Sequence, residues 1–277
     1  MNLSPPLHGI HTWLPSAARH CRFAGMSADG TAHRLASIQY RRTVTASEIA
    51  QAVALVFDSE PITSKSSPPA PKPLGWQKSA TERIHAEWRT TAQDLIDMSD
   101  VHPRDIDQRE LLACLYPNPD GLVCIGWNVH RFATRTLAEH QSIDTAQFVV
   151  PCFMTAREGI TKEGKRSCRA KAITGARRFI VLDFDEPPSD HQPSIIRWLM
   201  GTRAPVLVIT SGGKSLHAWY APETPERDAQ FWQAAIMAGA DPALQRNHAQ
   251  AVRLPMGTRD NGNRQTIVYF NPNNLPA

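Results

Sequence analysis

The run Phe179-Ile180-Val181-Leu182-Asp183-Phe184-Asp185 leaves the chain little choice of local structure. Apart from its two acids it is β-branched, aliphatic or aromatic, which suits a packed central strand over 179–184. Side chains two apart in a strand share a face, so Asp183 and Asp185 stand side by side. Like charges placed this way repel unless a cation lies between them. Alternatively they are a strand-end turn and helix cap, since Glu186, Pro187, Pro188 and Ser189 come next. Both readings are open at this point.

Downstream the pattern builds a scaffold around the acids. Asp190 is placed to cap a short helix carrying Ile195, Ile196, Leu199 and Met200, with Gly201 as its stop and Pro205 beyond. Val206 to Ile209 reads as the next strand, which makes a βαβ unit whose two strands should be parallel. Thr210-Ser211-Gly212-Gly213-Lys214-Ser215 then invites comparison with a phosphate-binding P-loop. That motif needs a glycine where Val208 stands and a helix after it, whereas Ser215 to Tyr220 alternates like a strand. Gly212-Gly213 is therefore expected to turn a hairpin, with Ser215, His217 and Trp219 on one face of the returning strand. Thr224-Pro225 starts a helix with Glu226 and Asp228 in its first turn and Gly239 at its end. Asp241 follows, and then Val252-Arg253-Leu254-Pro255-Met256-Gly257-Thr258-Arg259, in which two arginines flank a turn.

Taken together, DFD at 183–185, SGGKSLH at 211–217, and Asp241 followed by VRLPMGTR at 252–259 resemble the three motifs of the archaeo-eukaryotic primase superfamily. The likeness is strongest to the primase-polymerases of plasmids, phages and integrated elements, and it spans roughly residues 75 to 277. Met256 stands between a Pro and a Gly that are often adjacent in that family, which implies a slightly longer turn. The resemblance implies that Asp183, Asp185 and Asp241 hold Mg²⁺ or Mn²⁺, hard cations that prefer carboxylate oxygens. It also implies that His217 and Lys214, assisted by Ser215, meet the incoming triphosphate, and that Arg253 completes the phosphate clamp. No nucleophilic side chain is required, because such chemistry rests on positioning and charge stabilisation.

The basic stretch just before the acidic strand fits this picture. Residues 155–178 hold eight Lys and Arg against two Glu, a larger excess than the +4 of the whole 277-residue chain. A charge run is commonly only a solvated face, but this one is well sited to hold a template or primer backbone through Lys165, Arg166, Arg169, Lys171 and Arg177. Such contacts would be salt-sensitive and indifferent to base sequence.

Elsewhere the sequence supplies organisation. Residues 1–57 are expected to form a small helical accessory domain, with helices at Trp13 to Cys21 and Ala32 to Ile38 and a third opened by the capping box Thr45-Ala46-Ser47-Glu48. Residues 58–75, rich in Ser and Pro, read as a linker. The catalytic domain then occupies 76–277. In it Ser79-Ala80-Thr81-Glu82 reads as a capping box opening an amphipathic helix through Ile84, Trp88, Ala92 and Leu95. A second helix covers Ile106 to Leu115, and strands cover Leu122 to Trp127 and Phe148 to Phe153. His130 and His140 lack paired ligand spacing and read as surface histidines. Asn261-Gly262 should turn the chain into a last strand, Thr266 to Phe270. Five scattered cysteines with no CxxC pair point to reduced thiols rather than a zinc module. With no span-length apolar run and no signal-peptide core, a soluble cytoplasmic protein is expected. No helicase motor or ATP-binding loop is present, so unwinding would fall to a separate protein.

The expected architecture is α/β (α+β): a mixed-sheet catalytic domain preceded by the small helical one. The expected activity is template-directed nucleotidyl transfer that makes or extends primers on single-stranded DNA from nucleoside triphosphates. Two alternatives stand beside it. One is an inactive nucleic-acid-binding replication initiator of the same fold, which the retained Asp183, Asp185 and His217 argue against. The other is a metal-dependent sugar-nucleotide transferase, which the SGGKSLH and VRLPMGTR segments argue against.

Overall fold

The computed structural model describes residues 14–15, 17–18, 21, 26–38, 44–57 and 75–276. The chain divides into two compact units, Met1–Pro71 and Lys72–Ala277. Residues 58–74, nearly all of the expected linker, lie outside the described residues, as do 13, 16, 19 and 20 of the expected helix from Trp13 to Cys21, whose described residues are helical.

In the first unit, α1 (Ala28–Ala36) is capped by Ser27, whose hydroxyl accepts from the Gly30 amide. The helix begins four residues before the expected Ala32. In α2 (Ala46–Phe57) the predicted capping box is in place: the Thr45 amide donates to Glu48 Oε2 and the Glu48 amide to Thr45 Oγ1. Leu35 packs with Ile49, Ala52, Val53 and Val56 in a core of its own.

The second unit is α+β. Its elements in order are α3 (Lys78–Trp88), α4 (Ala92–Asp97), α5 (Gln108–Leu115), β1 (Leu122–Gly126), β2 (Phe132–Thr136), β3 (Phe148–Met154), β4 (Gly159–Ile160), β5 (Arg166–Ser167), β6 (Ile180–Asp183), α6 (Gln192–Met200), β7 (Leu207–Thr210), β8 (Leu216–Tyr220), α7 (Pro225–Met237), α8 (Pro242–Arg246), β9 (Val252–Arg253) and β10 (Ile267–Phe270). One four-stranded sheet has the order β2-β1-β3-β9 and another β10-β7-β8-β6, with β4-β5 as a small hairpin. Phe179, Trp219 and Tyr116 are fully buried, and edge-to-face ring contacts link Phe179 to Trp219 at 5.4 Å and to Tyr116 at 6.2 Å.

Several local expectations are corrected. Every ladder among the described residues is antiparallel, so the sheets are not mixed. β6 and β7 do run the same way, as a βαβ unit requires, but β8 folds back between them and pairs with both. The single helix expected from Ser79 to Leu95 is two. Arg89 takes a left-handed backbone at φ 44°, and Thr91 opens α4 with its own capping box to Asp94, a local alternative that outbids continuation of α3. Ser79 caps nothing, because α3 already begins at Lys78, with Gln77 as its N-cap. Asp190 does not cap α6, whose N-cap is His191. His140 is 1% exposed, not a surface residue: its Nε2 lies 2.9 Å from the Val123 carbonyl.

Candidate active site

The hairpin β7-β8 creates the site. Its turn, Ser211 to Ser215, is closed by the Ser211 amide on the Ser215 carbonyl at 2.8 Å, with Gly212 at φ +70°. Leu216 to Tyr220 then lies along β6 in a register that sets His217 opposite Asp183. Directly opposed residues of an antiparallel pair face the same way, so the two side chains meet, His217 Nε2 to Asp183 Oδ2 at 3.2 Å.

His217 is buried and Asp183 is partly buried. Burial by itself would raise the Asp183 carboxyl, but His217, the Ser215 hydroxyl and Arg253 together outweigh it and hold the group below the ordinary carboxylate value. Asp183 Oδ1 is buried with no hydrogen-bond partner. An ionised oxygen held dry and unpartnered is the environment that a hard cation relieves, so this residue fits a divalent metal. Asp185 lies just past the end of β6 and is exposed; its backbone carbonyl accepts from Lys214 Nζ at 2.8 Å. Asp241 arrives from another direction. Its amide donates to the Asp183 carbonyl at 2.9 Å, while its side chain caps α8 through the Ala243 amide at 2.8 Å.

The other expected phosphate ligands divide. Ser215 Oγ bonds Ser211 Oγ at 3.0 Å within the turn and also lies near enough to Asp183 to help keep it ionised. Arg253, on β9, stacks its guanidinium 4.6 Å over Phe148. Burial and the neighbouring Arg259 lower its pKa, while Asp183, Asp185 and Asp260 pull the other way, which places the cation within reach of the acids' field. Two residues that the sequence reading left without a role also belong here. Arg259 lies across the glycine turn: a Cβ on Gly213 would come 2.7 Å from its Nη1 and one on Gly212 2.9 Å from its Cδ. Both glycines are needed so that this arginine can approach the backbone. Gln192, fully buried, bonds the Pro187 carbonyl (3.0 Å), the Lys214 carbonyl (3.2 Å) and the Leu216 amide (2.7 Å), tying α6 to the acidic loop and to the turn. Arg259 could have been found from its place in VRLPMGTR; a glutamine in a first helical turn carries no such signal.

The expected nucleic-acid contacts are also distributed. Lys165 and Arg166 lie on the β4-β5 hairpin, Arg166 in an ion pair with Glu158, and Arg169 sits 4.2 Å over the Phe132 ring. Lys171 is exposed. Arg177 is drawn away from this surface: it donates to the Leu244 and Gln245 carbonyls and closes α8.

The structure therefore brings together Asp183, His217, the Asp241 backbone, Asp185 with Lys214, and the field of Arg253. It does not converge the three carboxylates on one point. Among the described residues, the ligand atoms of three His, Cys, Asp or Glu side chains come mutually within 4.8 Å at His85, Asp190 and His191 instead. No helix among the described residues is long and apolar enough to cross a membrane.

No protein-family model matches the chain, and no curated protein matches it significantly. Among solved structures it is similar to the AEP domain of the cyanophage S-2L primase-polymerase, at 16% identity and a TM-score of 0.41 over 62% of this chain and 92% of that one.

Proposed function

We propose that this protein is a template-directed nucleotidyltransferase that makes or extends primers on single-stranded DNA. The observation that supports it most is the Asp183–His217 contact at 3.2 Å, made by two segments thirty-four residues apart and overlooked by the charge of Arg253. The order and spacing of the three motifs support the same reading.

In this reading Asp183 and Asp185 would hold Mg²⁺ or Mn²⁺, and Asp241, whose amide donates to the Asp183 carbonyl while its side chain caps α8, would join them only by leaving that cap. Such an ion, when bound, supplies charge for the triphosphate and lowers the pKa of an attacking hydroxyl. Arg253 and Arg259 orient the phosphate oxygens with planar, fixed donors. His217, seated against Asp183, keeps one ring nitrogen on the acid and offers its position beside the triphosphate. Lys214 pins the Asp185 backbone and adds positive charge at the loop. Lys165, Arg166, Arg169 and Lys171 hold the template backbone without reading its bases. Strand separation would come from a separate helicase.

The test is synthesis on single-stranded DNA with labelled nucleotides and Mg²⁺ or Mn²⁺. Short products are expected from the intact chain. They should fall by at least about 10²-fold in Asp183→Asn plus Asp185→Asn, a loss typical of removing charge stabilisation at a reacting centre. Salt-sensitive DNA binding without any product from the intact chain would overturn the enzymatic reading.

A further inference from the structure

Beyond the acids of β6, a second group of side chains is assembled where α3 meets the start of α6. His85 on α3 and His191 at the N-cap of α6 stack their rings, with centroids 4.0 Å apart and 14° from parallel. Asp190 stands beside them, so that one ligand atom from each of the three lies within 4.8 Å of the others. None of the three is accounted for by capping or by the site already described: Asp190 is exposed and makes no helix cap, and His191 makes no side-chain cap bond.

The hydrogen bonds around Ser194 seat one ring. Ser194 Oγ receives the Thr90 amide (3.0 Å) and lies 3.3 Å from the Thr90 carbonyl and 3.1 Å from His85 Nδ1. With the serine proton on the Thr90 carbonyl, the imidazole is the donor of the His85 contact. A His85 protonated at Nδ1 has its lone pair on Nε2, the state in which an imidazole ligates metal, and the serine holds the ring as outer groups hold metal-bound histidines. The second histidine provides an independent sign: His191 Nδ1 is buried without a hydrogen-bond partner.

We propose that His85, Asp190 and His191 bind a divalent transition metal of the zinc class, at a site separate from the acids of β6. Two nitrogens and one carboxylate oxygen suit Zn²⁺ and leave a fourth position for water, whereas Mg²⁺ prefers oxygen alone. With bonds of roughly 2.0–2.2 Å, closing the set on one ion requires the rings to splay and the ligand atoms to draw together by about 1 Å. His85 and Asp190 line a cleft that is bordered by Arg89, Thr91 and Pro193. The ion would clip α3 to the end of the loop that runs from Asp185 to Asp190. That loop is otherwise held by Lys214 on the Asp185 carbonyl and Gln192 on the Pro187 carbonyl. The role follows from this position: the metal is a clamp that fixes the loop carrying Asp185.

The test uses Co²⁺ as a visible probe on the metal-stripped full chain, followed by competition with Zn²⁺. One equivalent of Co²⁺ should give d–d absorption that Zn²⁺ removes and that survives Asp183→Asn plus Asp185→Asn. Asp190→Asn, an exposed change that leaves the fold intact, should weaken binding by about tenfold or more, and His85→Gln should abolish the bands. Circular dichroism of each variant checks that it is folded. Bands that persist unchanged in Asp190→Asn and His85→Gln, bands lost with the β6 acids, or no bands at all in the intact chain would each overturn the proposal.

Discussion

Around Met256 two neighbouring residues solve different steric problems. Met256 itself takes a left-handed backbone at φ +59°, while at Gly257 a Cβ would come 2.3 Å from the Ala146 carbonyl oxygen and 3.1 Å from that of Leu254. The glycine is thus used for close approach of two backbones, not for its range of φ, and the extra residue between Pro255 and Gly257 absorbs the turn. Because the obstruction is backbone and cannot swing away, Gly257→Ala should lower stability by roughly 1–3 kcal/mol, the usual range for overpacking a filled site. Urea denaturation would read this directly; an unchanged midpoint would mean that the 146–147 segment yields freely. That segment aligns β9, so the same variant should disturb Arg253 as well.

Between residues and whole sheets, what the sequence made legible was what lies within one element. The strand around Asp183, the glycine hairpin, the Thr45–Glu48 box and the Thr224 cap all follow from side chains close together in the chain, and the structure has them. What stayed hidden depends on a partner element. β8 inserts between β6 and β7 because the hairpin turn is shorter than the α6 crossover, a competition between connections that no single segment reveals. Gln192 is hidden for the same reason, since all three of its bonds go to other segments. Gln192→Leu keeps the volume but leaves the Leu216 amide unpaired in a dry position. It should cost about 1–3 kcal/mol and, on the proposed function, reduce nucleotide incorporation along with stability. A variant equal to the parent in both denaturation and incorporation would show that the loop and turn are held without it.

Across the whole molecule, the largest consequence of misreading one residue concerns pH. His140 was expected at the surface but is buried, and burial, with Arg135 and Arg109 adding to it, holds its pKa below the ordinary value despite the opposing bond to the Val123 carbonyl and the charge of Glu139. The unfolded chain therefore takes up this proton first as pH falls. The stabilisation from a neutral His140 is complete above about pH 6.5 and is lost on going below it. Comparison of the parent with His140→Gln by denaturation at pH 7.5 and pH 5.5 should show the parent losing more stability than the variant on acidification. Equal losses would remove His140 as the source.

The insertion of β8 also has a consequence for how the protein is made. Translation delivers Ile180-Val181-Leu182 well before residues 216–220, which are to cover that strand. Until then the growing chain carries an apolar edge with no partner, the kind of surface on which nascent chains stick to one another. Asp183 and Asp185 at one end of the run, and Arg177 and Arg178 just before its start, place charge beside that edge during the interval. The acids that the proposed function places at the metal thus have a second part to play, since with the two arginines they help to keep the unfinished chain apart from its copies.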